Sequence, residues 1–240
     1  MDNKLYIQDY VLNDFETLCL VSELVKVNIK ECNQELIYLP DILKNNVEFR
    51  FPKYLSKNDD NNSLKNTCFF GRKEVAEKLD EISKELLNIN KDASIVVSNV
   101  YRHPKIQEEN FKKVFDDIKA KFPLLSQDEQ IEKTHLMIAY PKVAGHTTGG
   151  AIDLTIKIGD TLLDMGCEIG DFDKEEYLPV KNSYITKEQF KNRLMLRKLM
   201  IRHEFAPFNG EWWHFSFGDR EWAKIYNKEY AIYDVVNNID

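Results

Sequence analysis

Gly145-His146-Thr147-Thr148-Gly149-Gly150-Ala151-Ile152-Asp153-Leu154-Thr155-Ile156 is a glycine-rich polar turn that runs straight into an alternating strand. From Ala151 to Ile158, Ile152, Leu154 and Ile156 share one face, so Asp153 and Thr155 point to the other. With the apolar face on the core, Asp153 looks into a cleft or solvent. A second stretch answers it far downstream: Glu211-Trp212-Trp213-His214-Phe215, just after Gly210. Here Trp213, Phe215 and Phe217 alternate with Trp212, His214 and Ser216, so His214 leaves the apolar row as Asp153 does. Glu211 poses a difficulty, because residues three apart on a flat strand face opposite ways. Gly210 marks the strand as only beginning, which leaves room for a turn or bulge that re-aims Glu211.

The rest of the chain supplies a core around these two stretches. Val75, Leu79, Ile82, Leu86 and Ile89 recur at helical spacing after Gly71, which is read as opening the helix. Ser94 to Val97 reads as a short buried strand, and Pro104 bars a strand from continuing past Arg102-His103. Phe111, Val114, Phe115, Ile118 and Phe122 trace a second amphipathic helix. Thr186 with Gln189 forms a capping box at the head of a third. Residues 159–184 are irregular, and a loop of that length is more often functional than idle. Near the start, Val21, Leu24 and Val25 fit a helix while Val25, Val27 and Ile29 fit a strand, and the pattern does not decide. Lys57 to Ser63 reads as a polar surface loop. The expectation is one α+β domain with helices packed on a small antiparallel sheet.

A formal charge of −7 argues against a nucleic-acid binder, since phosphate contacts need a basic surface. Four irregularly spaced cysteines contain no Cys-x-x-Cys pair, so reduced thiols are expected, with Cys167 notable for its glycine-flanked loop. Neither a signal peptide nor an apolar membrane span is visible, and the expected location is cytoplasmic.

The chemistry lies in the polar clusters. His146, Asp153 and His214 make a three-ligand zinc site that leaves a fourth position for water, the arrangement of a catalytic centre. Glu211, non-ligating and beside His214, suits a proton shuttle. Taken singly, a His in a glycine-rich loop is usually a surface His and an Asp at a strand start a solvated charge; only the combination is informative. Arg102 can stabilise an oxyanion or hold a carboxylate. His103, His135 and His203 are further imidazoles, of which His203, in a helix beside Arg202 and Glu204, is not expected to ligate.

Together these motifs resemble the zinc D-alanyl-D-alanine dipeptidases. The family pattern is Ser-x-His, six residues, Asp, then Glu-x-x-His; here it reads Ala144-Gly145-His146 through Asp153, then Glu211-Trp212-Trp213-His214. Tyr101-Arg102 with Gln107 matches the family's upstream motif, and the Asp164 to Phe172 loop resembles its intervening segment. The resemblance covers roughly residues 40–225, leaving 1–40 as an N-terminal segment of unassigned role and 41–240 as the catalytic domain. It implies one zinc ion per chain on His146, Asp153 and His214, with Glu211 as general base and then acid. Arg102 would steady the oxyanion. Asp171, with Asp173 as the second candidate, would grip the amino group of a small dipeptide. Neither nucleic acid nor membrane is an expected partner, and the oligomeric state is unassigned. Two departures stand out: Ala144 replaces the family serine, and Pro104 follows Arg102 by two residues rather than one. The alternatives are a peptidoglycan D,D-carboxypeptidase or endopeptidase of the same superfamily, or a zinc-containing binding module of the Hedgehog type.

Overall fold

Alternation of β-branched and polar residues makes Ala151–Ile158 a strand, and three other strands pair with it. The computed structural model describes residues 18–51 and 67–239. The polar stretch Lys57 to Ser63 and the first residues of the chain lie outside them. In chain order, α1 (Val21–Leu24), β1 (Leu36–Tyr38), α2 (Leu39–Ile42) and β2 (Val47–Phe49) come first. Next are β3 (Phe70–Arg72), α3 (Lys73–Ile89), β4 (Ala93–Asn99), α4 (Pro104–Lys121) and α5 (Gln127–His135). The remainder is β5 (Ala151–Ile158), β6 (Thr161–Leu162), α6 (Lys187–Arg202), β7 (Ala206–Pro207), β8 (His214–Ser216) and α7 (Arg220–Ile225).

The α+β class holds, with more sheet than expected. A two-stranded antiparallel pair, β1–β3, accompanies a six-stranded sheet in the order β2-β4-β5-β8-β7, with β6 on β5. That larger sheet is mixed, because β2 runs parallel to β4 while the other pairs are antiparallel. Ile152, Leu154 and Ile156 join Ile95 and Val97 on one face, against Val75, Leu79, Ile82 and Leu86 of α3 and Leu196, Leu199 and Met200 of α6. Each of these side chains contributes roughly 1.5–3 kcal/mol by leaving water. The opposite face carries Asp153 and the cleft.

Several local expectations are refined. Gly71 does not open α3 but sits in β3, paired with Ile37. The reason is space: a Cβ there would lie 3.0 Å from Val100 Cγ1 and 3.2 Å from Leu39 Cδ1. Ile89, the last of the helical stripe, is exposed, since α3 runs past the sheet it covers. The undecided start resolves into the single turn α1, followed by a bridge from Ile29 to Ala231. Thr186 and Gln189 form the expected capping box on α6, while the equivalent box of Ser126 and Glu129 on α5 was not read from the sequence. Among the described residues, no helix is long and apolar enough to cross a membrane.

One buried cation ties the polar turn to both ends of the chain. Arg72 is 3% exposed, and its Nε donates to the Thr148 carbonyl at 2.8 Å. The same guanidinium donates to the carbonyls of Gln34 and Asp234 and pairs with Glu31 at 3.1 Å. Arg72→Met is therefore expected to lower the unfolding free energy by about 3 kcal/mol, because it leaves several buried acceptors without a donor. Urea denaturation of the variant beside the wild type checks this.

Candidate active site

Strand register builds the centre of the site. Asp153 lies opposite His214 on one side and opposite Asn99 on the other. The second pairing exists because the ladder shifts by a bulge between Val97 and Asn99, which brings the Asn99 amide onto the Asp153 face. Asn99 Nδ2 donates to Asp153 Oδ2 at 3.3 Å. His146 arrives from the 3₁₀ turn Gly145–Thr148. Its Nδ1 lies 2.7 Å from the Val100 carbonyl, a partner that can only accept, so Nδ1 carries a proton and Nε2 is turned toward Asp153. Gly145 has to be glycine, because a Cβ there would fall 2.2 Å from Asp219 Oδ2.

The expected trio converges. His146 Nε2 is 3.3 Å from Asp153 Oδ2, and His214 Nδ1 is 2.9 Å from Asp153 Oδ1. One donor atom from each of the three residues lies within 4.8 Å of the others. Burial alone would raise the Asp153 carboxyl, but the two imidazoles outweigh it and hold it well below the usual carboxylate range. Burial likewise opposes charge on His214, yet the hydrogen bond with Asp153 prevails and lifts it to about 9. At His146 burial wins and lowers it. A buried N,O,N donor set of this span has the composition of a three-ligand metal centre and fits a divalent cation such as zinc.

Glu211 and Arg102 line the same cleft, of about 400 Å³, as these three residues. The re-aiming of Glu211 comes from a turn. Trp212 and Trp213 are not part of β8, the His214 N–H returns to the Glu211 carbonyl at 3.3 Å, and the Trp212 N–H bonds to the Leu178 carbonyl. Burial pushes the Glu211 carboxyl up to about 7, against the pull of His214 and Arg102. The Arg102 backbone N–H donates to the His146 carbonyl at 3.0 Å, and its guanidinium donates to Gln107 Oε1 at 2.8 Å.

Asp171 stands apart. It lines a neighbouring pocket with Arg50 and Cys167, and its carboxylate pairs with Lys174 at 3.2 Å. Its neighbours Gly170 and Phe172 line the cleft instead, and Asp173 is exposed. Cys167 serves the scaffold, accepting from Trp212 Nε1 at 3.3 Å. Ala144 is buried, and Pro104 begins α4 beneath the His103 cap. His135, one of the further imidazoles, lines the cleft, and Asn99 and Glu221 belong to the surroundings of the site without having been singled out. Asn99 depends on a bulge, and Glu221 on the placement of α7, neither of which leaves a sequence signal.

Three donors that could hold a metal ion, with a separate carboxylate in the same cleft, have the make-up of a hydrolase site. The family model described as D-ala-D-ala dipeptidase matches residues 64–236, and the chain belongs to that peptidase family. It is 30% identical over 179 residues to the D-alanyl-D-alanine dipeptidase of Synechocystis sp., covering 65% of this chain and 72% of that protein. It is also 29% identical over 107 residues to the D-alanyl-D-alanine dipeptidase of Enterococcus faecalis, a match that spans 50% of that relative.

The raised Glu211 carboxyl has a measurable consequence. Its folded pKa of about 7 lies above its ordinary value of 4.5, so the fold takes up a proton there and is destabilised as pH rises through 7. With a chelator present, Glu211→Gln is expected to be more stable than wild type by about 2 kcal/mol at pH 8, shrinking toward pH 5. Paired urea titrations at the two pH values check it, and a pH-independent difference contradicts it.

Proposed function

We propose that the protein is a zinc-dependent dipeptidase acting on D-alanyl-D-alanine or a similar small dipeptide. The observation that carries this reading is that Asp153, His146 and His214 meet in one cleft with Glu211, which is not one of the three donors. The names of the relatives support the substrate class.

In this reading one zinc ion is held by His146 through Nε2, His214 through Nδ1 and the Asp153 carboxylate. When bound, zinc supplies Lewis acidity, which polarises a carbonyl and acidifies water. Glu211 accepts a proton from the attacking water as oxygen adds to the peptide carbon. It then returns that proton to the departing amine as the C–N bond breaks. Arg102 opposes the negative charge that gathers on the carbonyl oxygen, and Gln107 fixes the direction of its guanidinium. Residues 41–240 form the catalytic unit, and the preceding segment is anchored to it through Glu31 and Arg72.

The test is amino-acid release from D-Ala-D-Ala by zinc-loaded protein, with L-Ala-L-Ala and a peptidoglycan pentapeptide alongside. Release from the D,D-dipeptide alone, abolished by a chelator, is expected. Glu211→Gln is expected to keep about one zinc per chain and to lose roughly 10²–10⁴-fold in kcat, whereas His214→Ala loses metal and activity together. Undiminished turnover by Glu211→Gln would remove Glu211 from the mechanism.

A further inference from the structure

His135 is an imidazole at the end of α5 that the peptidase mechanism does not use. It is 9% exposed and lines the same cleft as the metal trio. The chain turns sharply after α5, with the N–H groups of Met137 and Ile138 both bonded to the Thr134 carbonyl. That turn brings the Tyr140 backbone N–H back onto His135 Nδ1 at 3.0 Å. An N–H pointing at Nδ1 requires a lone pair there, so the ring proton resides on Nε2. Burial holds the His135 pKa down at about 4, so the ring is a neutral, single-proton donor at pH 7. The Tyr140 contact engages Nδ1, which makes Nε2–H the donor of the ring.

The wall that carries His135 holds several other hydrogen-bond donors. Gln107, fully buried, accepts from the Arg102 guanidinium and donates to the Ala139 carbonyl at 2.6 Å. It thereby locks Arg102 and the His135 turn into one rigid unit. Lys113 and Asn110 of α4 line the cleft from the same side. Of the nearby acids, Asp117, one turn along α4, is exposed and also lines the cleft, and Glu132 is engaged by the N–H groups of Val21 and Ser22 at 2.8 and 3.0 Å. The cleft's other carboxylates, Asp153, Glu211 and Glu221, come from β5 and the elements around β8.

We infer that His135 Nε2–H is a substrate-recognition donor that binds the terminal carboxylate of the dipeptide, with Lys113 supplying charge at the rim. This rests on the peptidase reading of the cleft. A neutral donor held by a buried turn suits an anionic acceptor, since hydrogen bonds to charged groups are the stronger kind. It also gives the site a means of selecting free dipeptides over chains blocked at the C-terminus.

The test is affinity, measured by calorimetry in the zinc-loaded Glu211→Gln background with D-Ala-D-Ala and its C-terminal amide as the two ligands. The free acid is expected to bind at least about tenfold more tightly than the amide. Adding His135→Leu is expected to bring the two within about two-fold, while His135→Gln, which keeps a neutral N–H donor, preserves most of the preference. Thermal denaturation of each variant separates a lost fold from a lost contact. Absence of any preference, or a preference unmoved by His135→Leu in a folded protein, overturns the inference. Turnover by the wild type is a separate readout: a protein that binds with this preference but does not cleave keeps His135 in its role and loses the peptidase reading.

Discussion

A carboxylate buried to 3% exposure has to be compensated, and Asp153 is compensated by two imidazoles and an amide. Everything else in the structure follows from holding those partners in place. Two of them, His214 and Asn99, are delivered by strands that flank β5, so their positions are set by sheet register rather than by a flexible loop. A one-residue slip in either pairing would turn the side chain to the opposite face and leave the acid unmatched. The third, His146, lies on a loop and is secured separately. Its ring is fixed by the Val100 carbonyl, and its loop by Arg72 from behind and by the tight fit of Gly145 against Asp219.

The same economy of parts governs the walls of the cleft. Arg193, fully buried in α6, donates to the carbonyls of Met165 and Pro179 and so pins both ends of the long irregular loop. Trp212 joins that loop through Cys167 and Leu178, which leaves Trp213 free to meet Phe172 edge-on at the cleft wall. The doubled tryptophan thus has divided duties, one ring anchoring the loop and the other facing the site. Gln107 does on the opposite wall what Arg193 does on this one, converting separate segments into a single rigid surface.

Much of this could be read from residues alone. The strand Ala151–Ile158, the capping box at Thr186 and the buried stripe of α3 follow from local periodicity and side-chain chemistry, which the fold leaves intact. His146, Asp153, His214 and Glu211 were recognisable because their spacing is itself a motif, and the structure brings all four to one cleft. What escaped depends on long-range geometry. The parallel pairing of β2 with β4, the bulge that turns Asn99 and the reversal of chain after α5 are set by tertiary contacts between residues far apart in sequence. Gly71 shows how local signals mislead: a glycine before a helical stripe looks like a helix start, whereas here it is needed for close approach to Val100 and Leu39. Asp171 shows the limit of a motif for side-chain direction, since its neighbours on both sides reach the cleft while its own carboxylate turns to Lys174.

The central claim is that register and loop together assemble one metal centre from His146, Asp153 and His214, with Glu211 beside it and unligated. A crystal structure of the zinc-loaded protein, with anomalous scattering measured at the zinc edge, tests it most directly. The account predicts a single full-occupancy peak in the cleft, bound by His146 Nε2, His214 Nδ1 and the Asp153 carboxylate. A peak ligated by Glu211, or zinc held elsewhere with the trio still paired among themselves, would contradict it.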